Sequence, residues 1–218
     1  MKDGFVKTAA ITPSVRVADV KFNVREMARL VKEYAAKGCK LIVFPELAVT
    51  GYTAADLFTQ DTLICAAEEG LLSLAEATAN CDCATVVGVP LVISGKLYNC
   101  AAVLKSGGIL GVVPKTEIPN YGEFYEARHF VSARDLDTDE TELGGVGVPV
   151  GTDLVFVCEK MPQFAFGVEI CEDMWVPGSP AESLCAAGAT IVCNPSASNE
   201  LIGKAEYRRL LGRAASGK

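Results

Sequence analysis

The chain has 218 residues, half of them hydrophobic, and a formal net charge of -7. That length supports one substantial core rather than two domains, and the acidic balance excludes a nucleic-acid binder, whose surface needs basic patches. No apolar run is long enough to span a bilayer, and the opening "MKDGFVK" lacks the basic and apolar regions of a signal peptide; no membrane association and a cytoplasmic location are the expectation.

In chain order, "FVKTAAI" reads as a first strand. "NVREMARLVKEYAAKG" reads as a helix, with Val24, Met27, Leu30, Val31 and Tyr34 on one face and Gly38 as its stop. "KLIVF" is the next strand, and "DTLICAAEEGLLSLAEATAN" a second helix with Asp61 at its N-cap. "ATVVGVP", "NCAAVLK" and "GILGVVP" are strands, the last two forming a hairpin that turns at Ser106, Gly107 and Gly108. That turn, "KSGGIL", lacks the Asp-Ser of a pyrophosphate-binding loop and sits between two strands, so no ATP site is expected. The polar, Gly-rich "SARDLDTDETELGGVGVPVGTD" reads as a surface excursion. "DLVFVC", "FAFGVEI" and "ATIVCNP" are further strands, "SPAESLCAAGA" a short helix and "GKAEYRRLLGRAAS" a last one. Apolar strands alternating with helices imply an α/β fold with sheets covered by helices.

Nine cysteines invite three readings. The odd count speaks against a disulfide framework, and the C-x-C of Cys81 and Cys83, with one histidine in the chain, speaks against zinc. Cys39, Cys65, Cys100, Cys158, Cys185 and Cys193 are therefore expected to be reduced, mostly buried small hydrophobes. Cys171 stands apart, at the end of an apolar strand and directly before two acids. Glu46, Lys115, and Ser196 with Ser198, also follow strands. Ligands bind outside the carboxyl ends of strands in helix-covered sheets, so an acid, a base, a thiol and hydroxyls could converge there. Histidine is then dispensable as the partner of a nucleophilic thiol. Taken alone, each residue has a plainer alternative: core packing for Cys171, a helix-start acid for Glu46 and a solvated charge for Lys115.

The stretches "FPELAVTGY", "PKTEIPNYGEFYEARHF" and "GVEICEDMWVP" resemble the three catalytic motifs of the nitrilase (carbon–nitrogen hydrolase) superfamily, in the order Glu, Lys, Cys. "PNYGEFYEARHF", "ICEDMWVP" and "GATIVCNPSASNELIGKAEYRR" resemble, more narrowly, the glutaminase domain of bacterial glutamine-dependent NAD synthetases. The resemblance runs through essentially all of residues 1–218. It implies an α-β-β-α sandwich of two mixed sheets with outer helices.

It also implies hydrolysis of the glutamine side-chain amide through a cysteine thioester. Glu46 is the implied general base, Cys171 the nucleophile, and Lys115 the cation meeting the oxyanion, with help from backbone N–H groups after Cys171. Glu126 is the implied second carboxylate orienting the lysine, although Glu117 and Glu123 stand close enough in sequence to compete. Tyr121, Phe124 and Glu172, with Tyr52 nearby, are the implied glutamine pocket, Glu172 suiting the substrate ammonium. Ser198 and Lys204 match further substrate positions; many synthetases carry arginine where Lys204 stands, which lacks the bidentate fork. His129 reads as structural, packed beside Phe130.

No cofactor or metal is implied for this domain. ATP, Mg and deamido-NAD belong to an NAD synthetase domain of the same polypeptide that this chain does not contain. Family domains continue beyond the point reached at Lys218, so the glutaminase fold is expected to be incomplete at its C-terminus. A homo-oligomer is expected. The alternative reading is a stand-alone amidase or carbamoylase of the same superfamily.

Overall fold

A computed structural model describes residues 4–217. Helix α1 (Val20–Ala36) starts three residues before the predicted point, because the Asp19 side chain accepts the Phe22 N–H at 3.1 Å and caps it. It buries Val20, Val24, Met27 and Val31, the helical spacing the sequence predicts. Helix α2 (Asp61–Ala77) starts at Asp61 itself, with Gln60 as N-cap. The two helices lie side by side over one face of the first sheet.

That sheet has five strands in the order β1 (Thr8–Ala10), β2 (Leu41–Val43), β3 (Ala84–Ile93), β4 (Lys96–Lys105) and β5 (Gly108–Pro114). The first three run parallel and the last three antiparallel, so the sheet is mixed. The predicted turn at Ser106 and Gly107 joins β4 to β5. Ser94 and Gly95, both at positive φ, form a second tight turn that joins β3 and β4 in a hairpin not expected from the sequence.

Residues 132–153 are more than a surface excursion. They hold a hairpin, β6 (Glu140–Leu143) and β7 (Val146–Pro149), turning at Gly144 and Gly145. Leu143, Val148 and Val150 are buried, and Val150 bridges to Val112 of β5. The alternation of polar and apolar residues lets one face of this ribbon join the core while the other stays wet.

The second sheet has the order β10 (Ile191–Cys193), β9 (Ala165–Val168), β8 (Phe156–Val157), parallel then antiparallel. Its inner face packs on the first sheet: Phe164, Phe166, Val168 and Ile170 meet Leu41, Val86, Ala101 and Val113 in one core cluster. Helix α3 (Pro180–Ala186) covers its outer face, and Leu184 fills the space that Gly167 leaves. The layers therefore run α-β-β-α, as the resemblance implies. Helix α4 (Lys204–Gly217) follows β10 and buries none of its residues.

All nine cysteines are free thiols among the described residues. Cys39, Cys100 and Cys193 are buried as expected, but Cys65 and Cys185 are exposed and Cys158 is half-buried. Cys65 falls out of phase with the buried stripe of α2, which runs through Leu63, Ala67, Leu71 and Leu74. No helix among the described residues is long and apolar enough to cross a membrane.

Candidate active site

Three chain segments leaving the two sheets deliver the central groups. Glu46 follows β2 in a tight turn in which Leu47 has φ of 50°. Gly88 of β3 presses against that turn so closely that a Cβ there would lie 2.4 Å from Pro45 O and 2.2 Å from Leu47 N. Lys115 follows β5, its backbone N–H bonded to Asn99 O of β4 at 2.8 Å. Cys171 opens the 3-10 turn Cys171–Trp175 after β9 at φ of 47°, in the left-handed region that disfavours a side chain.

The Cys171 conformation is held from several sides. Its N–H bonds Pro195 O at 3.0 Å, and Asn194 Nδ2 reaches its carbonyl at 3.4 Å. The buried carboxylate of Glu169, at the end of β9, in turn accepts from the same Asn194 amide and from Ser179 and Ala181 at the start of α3. Asp173 closes the turn by accepting the Ile170 N–H at 2.9 Å.

Lys115 is wholly buried, and its Nζ lies 2.6 Å from Glu46 Oε1 and 2.7 and 2.9 Å from the two oxygens of Glu126. Burial alone would depress the lysine; Glu46 and then Glu126 outweigh it and hold its pKa above the ordinary value. Burial first, and the charge of Glu46 second, push the Glu126 carboxyl up. The same two causes push the Cys171 thiol up to about 12, with Lys115 pulling the other way. Cys171 at neutral pH is a thiol, not a thiolate. A base is needed at the moment of reaction, and the Glu46 charge that raises the thiol is also the acceptor beside it.

The competition among the three acids is resolved by position. Glu126, opening the 3-10 turn Glu126–Arg128, is the one at Lys115; Glu117 pairs with Arg134 and Glu123 with Asn199. Tyr52 sits with the carboxylates, its hydroxyl donating to Glu126 Oε1 at 2.7 Å, and burial followed by the Glu126 charge keeps that hydroxyl protonated. A cavity of about 120 Å³ opens beside Tyr52, Glu126 and His129. His129 is buried against Phe58 and Phe130, its ring centroid 5.8 Å from the first.

The other sequence-predicted residues form a second, more open group. The exposed Tyr121 donates its hydroxyl to Glu172 Oε1 at 2.8 Å and stacks edge-on against Phe124, ring centroids 5.7 Å apart. Lys204 Nζ lies 5.8 Å from the Phe124 ring and 5.1 Å from that of Trp175, and bonds Asn199. Ser198 is half-buried on the segment after β10, beside Ala197, whose N–H bonds Glu46 Oε2 at 2.9 Å.

Three contributors escape the sequence: Asn99, the Ala197 N–H and Trp175. Asn99 donates its side-chain amide to Glu46 Oε1 at 2.7 Å and to Glu126 Oε2 at 3.3 Å. A buried amide in the otherwise apolar "NCAAVL" run was the available signal.

Residues 7–216 match the carbon-nitrogen hydrolase family. The chain belongs to that family. Glu46, Lys115 and Cys171 all lie within the matched residues. Among curated relatives it is 41% identical over 215 residues to the glutamine-dependent NAD(+) synthetase of Mycobacterium tuberculosis, covering 99% of this chain and 32% of that protein. The namesake from Thermotoga maritima is 31% identical, covering 96% of this chain and 32% of the relative. The carbon–nitrogen hydrolase chain thus spans about a third of the length of these relatives. Among solved structures, a glutamine-dependent NAD(+) synthetase from Cytophaga hutchinsonii superposes with a TM-score of 0.81 at 28% identity, over 94% of this chain and 33% of the other. An amidase from Nesterenkonia, at 18% identity and a TM-score of 0.71 over 94% of this chain and 70% of that one, shares the fold.

Proposed function

We propose that this chain is the glutaminase part of a glutamine-dependent NAD synthetase. It takes glutamine as substrate, releases glutamate, and supplies ammonia for the amidation of deamido-NAD by a synthetase domain of the same polypeptide. ATP, Mg and deamido-NAD are ligands of that other domain, and assembly as a homo-oligomer in the cytoplasm accompanies the reading. The observation that carries it is the buried Lys115 bridging Glu46 and Glu126 beside a protonated Cys171, in a chain aligned along 99% of its length with such a synthetase.

The chemistry follows from the charges. As Cys171 Sγ attacks the carboxamide carbon, its proton passes to Glu46, so the net charge of the site is unchanged while sulfur gains an acyl partner. Protonated Glu46 holds Lys115 less tightly, which turns one ammonium N–H toward the oxyanion. The Cys171 and Asp173 N–H groups are committed to Pro195 and Ile170 carbonyls, leaving Glu172 N–H as the backbone donor of the turn. This narrows the backbone help expected from the sequence. Return of the proton to the leaving nitrogen expels ammonia and leaves a thioester. Water, deprotonated by Glu46, then releases glutamate and restores the thiol.

The Tyr121–Glu172 pair places an anion beside the nucleophile, where a substrate ammonium can be matched, and Lys204 offers the opposite charge for a carboxylate. Phe124 packs against Tyr121 and faces Lys204, Ser198 is assigned to the same pocket, and Tyr52 acts through Glu126. A glutamine-shaped chloroketone tests the reading. It should add one label, on the peptide containing Cys171, while a general alkylating agent reaches the exposed Cys65 and Cys185 first. Glutamate release unchanged in Cys171→Ala would overturn the assignment; turnover of simple amides with glutamine ignored would indicate a stand-alone amidase.

A further inference from the structure

Asn99 lies within β4, fully buried, and its side chain bonds both carboxylates of the site while its backbone bonds that of Lys115. Its carbonyl accepts the Lys115 N–H at 2.8 Å. Its side-chain amide donates to Glu46 at 2.7 Å and to Glu126 at 3.3 Å. The two carboxylates thus share two donors, the Lys115 ammonium and the Asn99 amide. Among the described residues the other side-chain atom, Asn99 Oδ1, has no partner although it is buried. Rotating the amide by half a turn would place that oxygen against two carboxylates, so the donor orientation is forced. The fold therefore tolerates an unsatisfied buried acceptor, which costs stability, in order to keep an N–H between Glu46 and Glu126.

We propose that Asn99 is a positioning residue for the hydrolysis: its amide holds Glu46 and Glu126 together as ionised acceptors and so sets the pH range in which Glu46 can take the thiol proton. The proposal rests on the roles given above to Cys171 and Glu46. Two carboxylates in one buried site oppose each other's ionisation, and donors that bind only the charged form offset this. Lys115 supplies the charge. Asn99 supplies a neutral second donor that neither attracts the thiolate nor competes with Lys115 for the oxyanion. The groups facing the pair are Lys115 from β5, Tyr52 from the turn after Gly51, the Ala197 N–H and Cys171, and none of them bonds both carboxylates except Lys115. Because both carboxylates share the Asn99 donor, its loss should appear in the behaviour of the pair and not of one acid alone.

The experiment measures the rate of Cys171 labelling by a chloroketone analogue of glutamine across pH, in the unmodified protein, in Asn99→Leu and in Asn99→Asp, with glutamate release alongside. Asn99→Leu should move the acid limb up by about one pH unit, slowing labelling about tenfold below the limb. Its rate on the plateau should stay within a few fold. Asn99→Asp, which adds a third carboxylate in the same shape, should move the limb further. A lowered plateau with the limb in place would mean a merely structural residue and would overturn the proposal. In the unmodified protein the Asn99 side-chain N–H resonances should shift through the same pH range as the labelling limb; resonances flat across it would also overturn it, even if neither variant folds. Glutamate release that survives Cys171→Ala would instead sink the underlying reading, whatever Asn99 does.

Discussion

Asp173 accepts the backbone N–H of Glu117 at 2.7 Å. Because the same carboxylate also caps Ile170 at 2.9 Å, it ties the segment leaving Lys115 to the turn that carries Cys171. Cation and nucleophile come from different sheets, and this is a direct bond between their flanks.

The bond makes stability depend on pH in a testable sense. Burial pushes the Asp173 carboxyl up from 3.8 to about 6 despite its backbone donors. Between those values the native state binds more protons than the unfolded chain, so stability falls as pH rises through that window. At about 1.4 kcal/mol per pH unit, the charged form costs the fold roughly 3 kcal/mol at neutral pH. Asn at this position cannot titrate, and its amide N–H faces a backbone donor. Asp173→Asn should be less stable than wild type, by a margin that widens by about 3 kcal/mol between pH 7 and pH 4. Denaturant titrations at several pH values measure this, and a constant margin would refute it.

Lys115→Met leaves Glu46 and Glu126 facing each other without a cation. Both carboxyls then resist ionisation, so the variant's stability should fall as pH rises from acid to neutral, more steeply than wild type. Breaking such a buried pair costs about 3–5 kcal/mol. Acylation of Cys171 should slow by about a hundredfold or more at a pH where the variant is folded. Thioester formation at the wild-type rate would remove Lys115 from the mechanism.

The legible parts of this site are those where residue type changes abruptly at a strand end: Glu46 after "LIVF", Lys115 after "GVVP", Cys171 after "FGVEI". Among Glu117, Glu123 and Glu126, spacing alone could not decide, because all three lie in one irregular loop; only the fold brings Glu126 to Lys115. Asn99 was hidden for a different reason. Its partners are 53 and 27 residues away, and nothing local marks a strand amide as a donor to them. Polar residues on its wet face hide the hairpin at residues 140–149 in the sequence, and the apolar surroundings of Cys65 and Cys185 suggest burial although both are exposed on their helices.

The left-handed backbone at Cys171 carries a cost that substitution can expose. A Cβ in this region costs about 1–2 kcal/mol, and glycine does not incur it. Cys171→Gly should therefore be more stable than Cys171→Ala by about 1 kcal/mol, although glycine ordinarily loses to alanine. Both lack the thiol, so thermal melts of the inactive pair isolate the backbone effect. Alanine proving the more stable would mean that the turn relaxes out of its strained conformation once sulfur is gone.

Gly88 governs Glu46 without belonging to the site chemistry. It lies on β3 where the strand passes beneath the turn holding Glu46, and its carbonyl accepts the Val49 N–H at 3.1 Å. A methyl group there would meet Pro45 O at 2.4 Å and Glu46 C at 2.7 Å, and both are backbone atoms that cannot rotate away. The φ of Gly88 is not in the left-handed region, so the demand is for space and not for conformation. Either β3 or the Glu46 turn must move. At Gly88 the strand is paired with β4 through Ala101, and two residues earlier with β2 through Val43, so the turn should yield. Overpacking of this kind costs about 1–3 kcal/mol, and a displacement near 1 Å at a base can slow a reaction about a hundredfold. Gly88→Ala should thus lose most Cys171 labelling by the glutamine chloroketone while remaining folded, with Cys65 alkylated at its usual rate. Full labelling in a folded Gly88→Ala protein would show that the turn, and with it Glu46, is not where the close packing of β3 holds it.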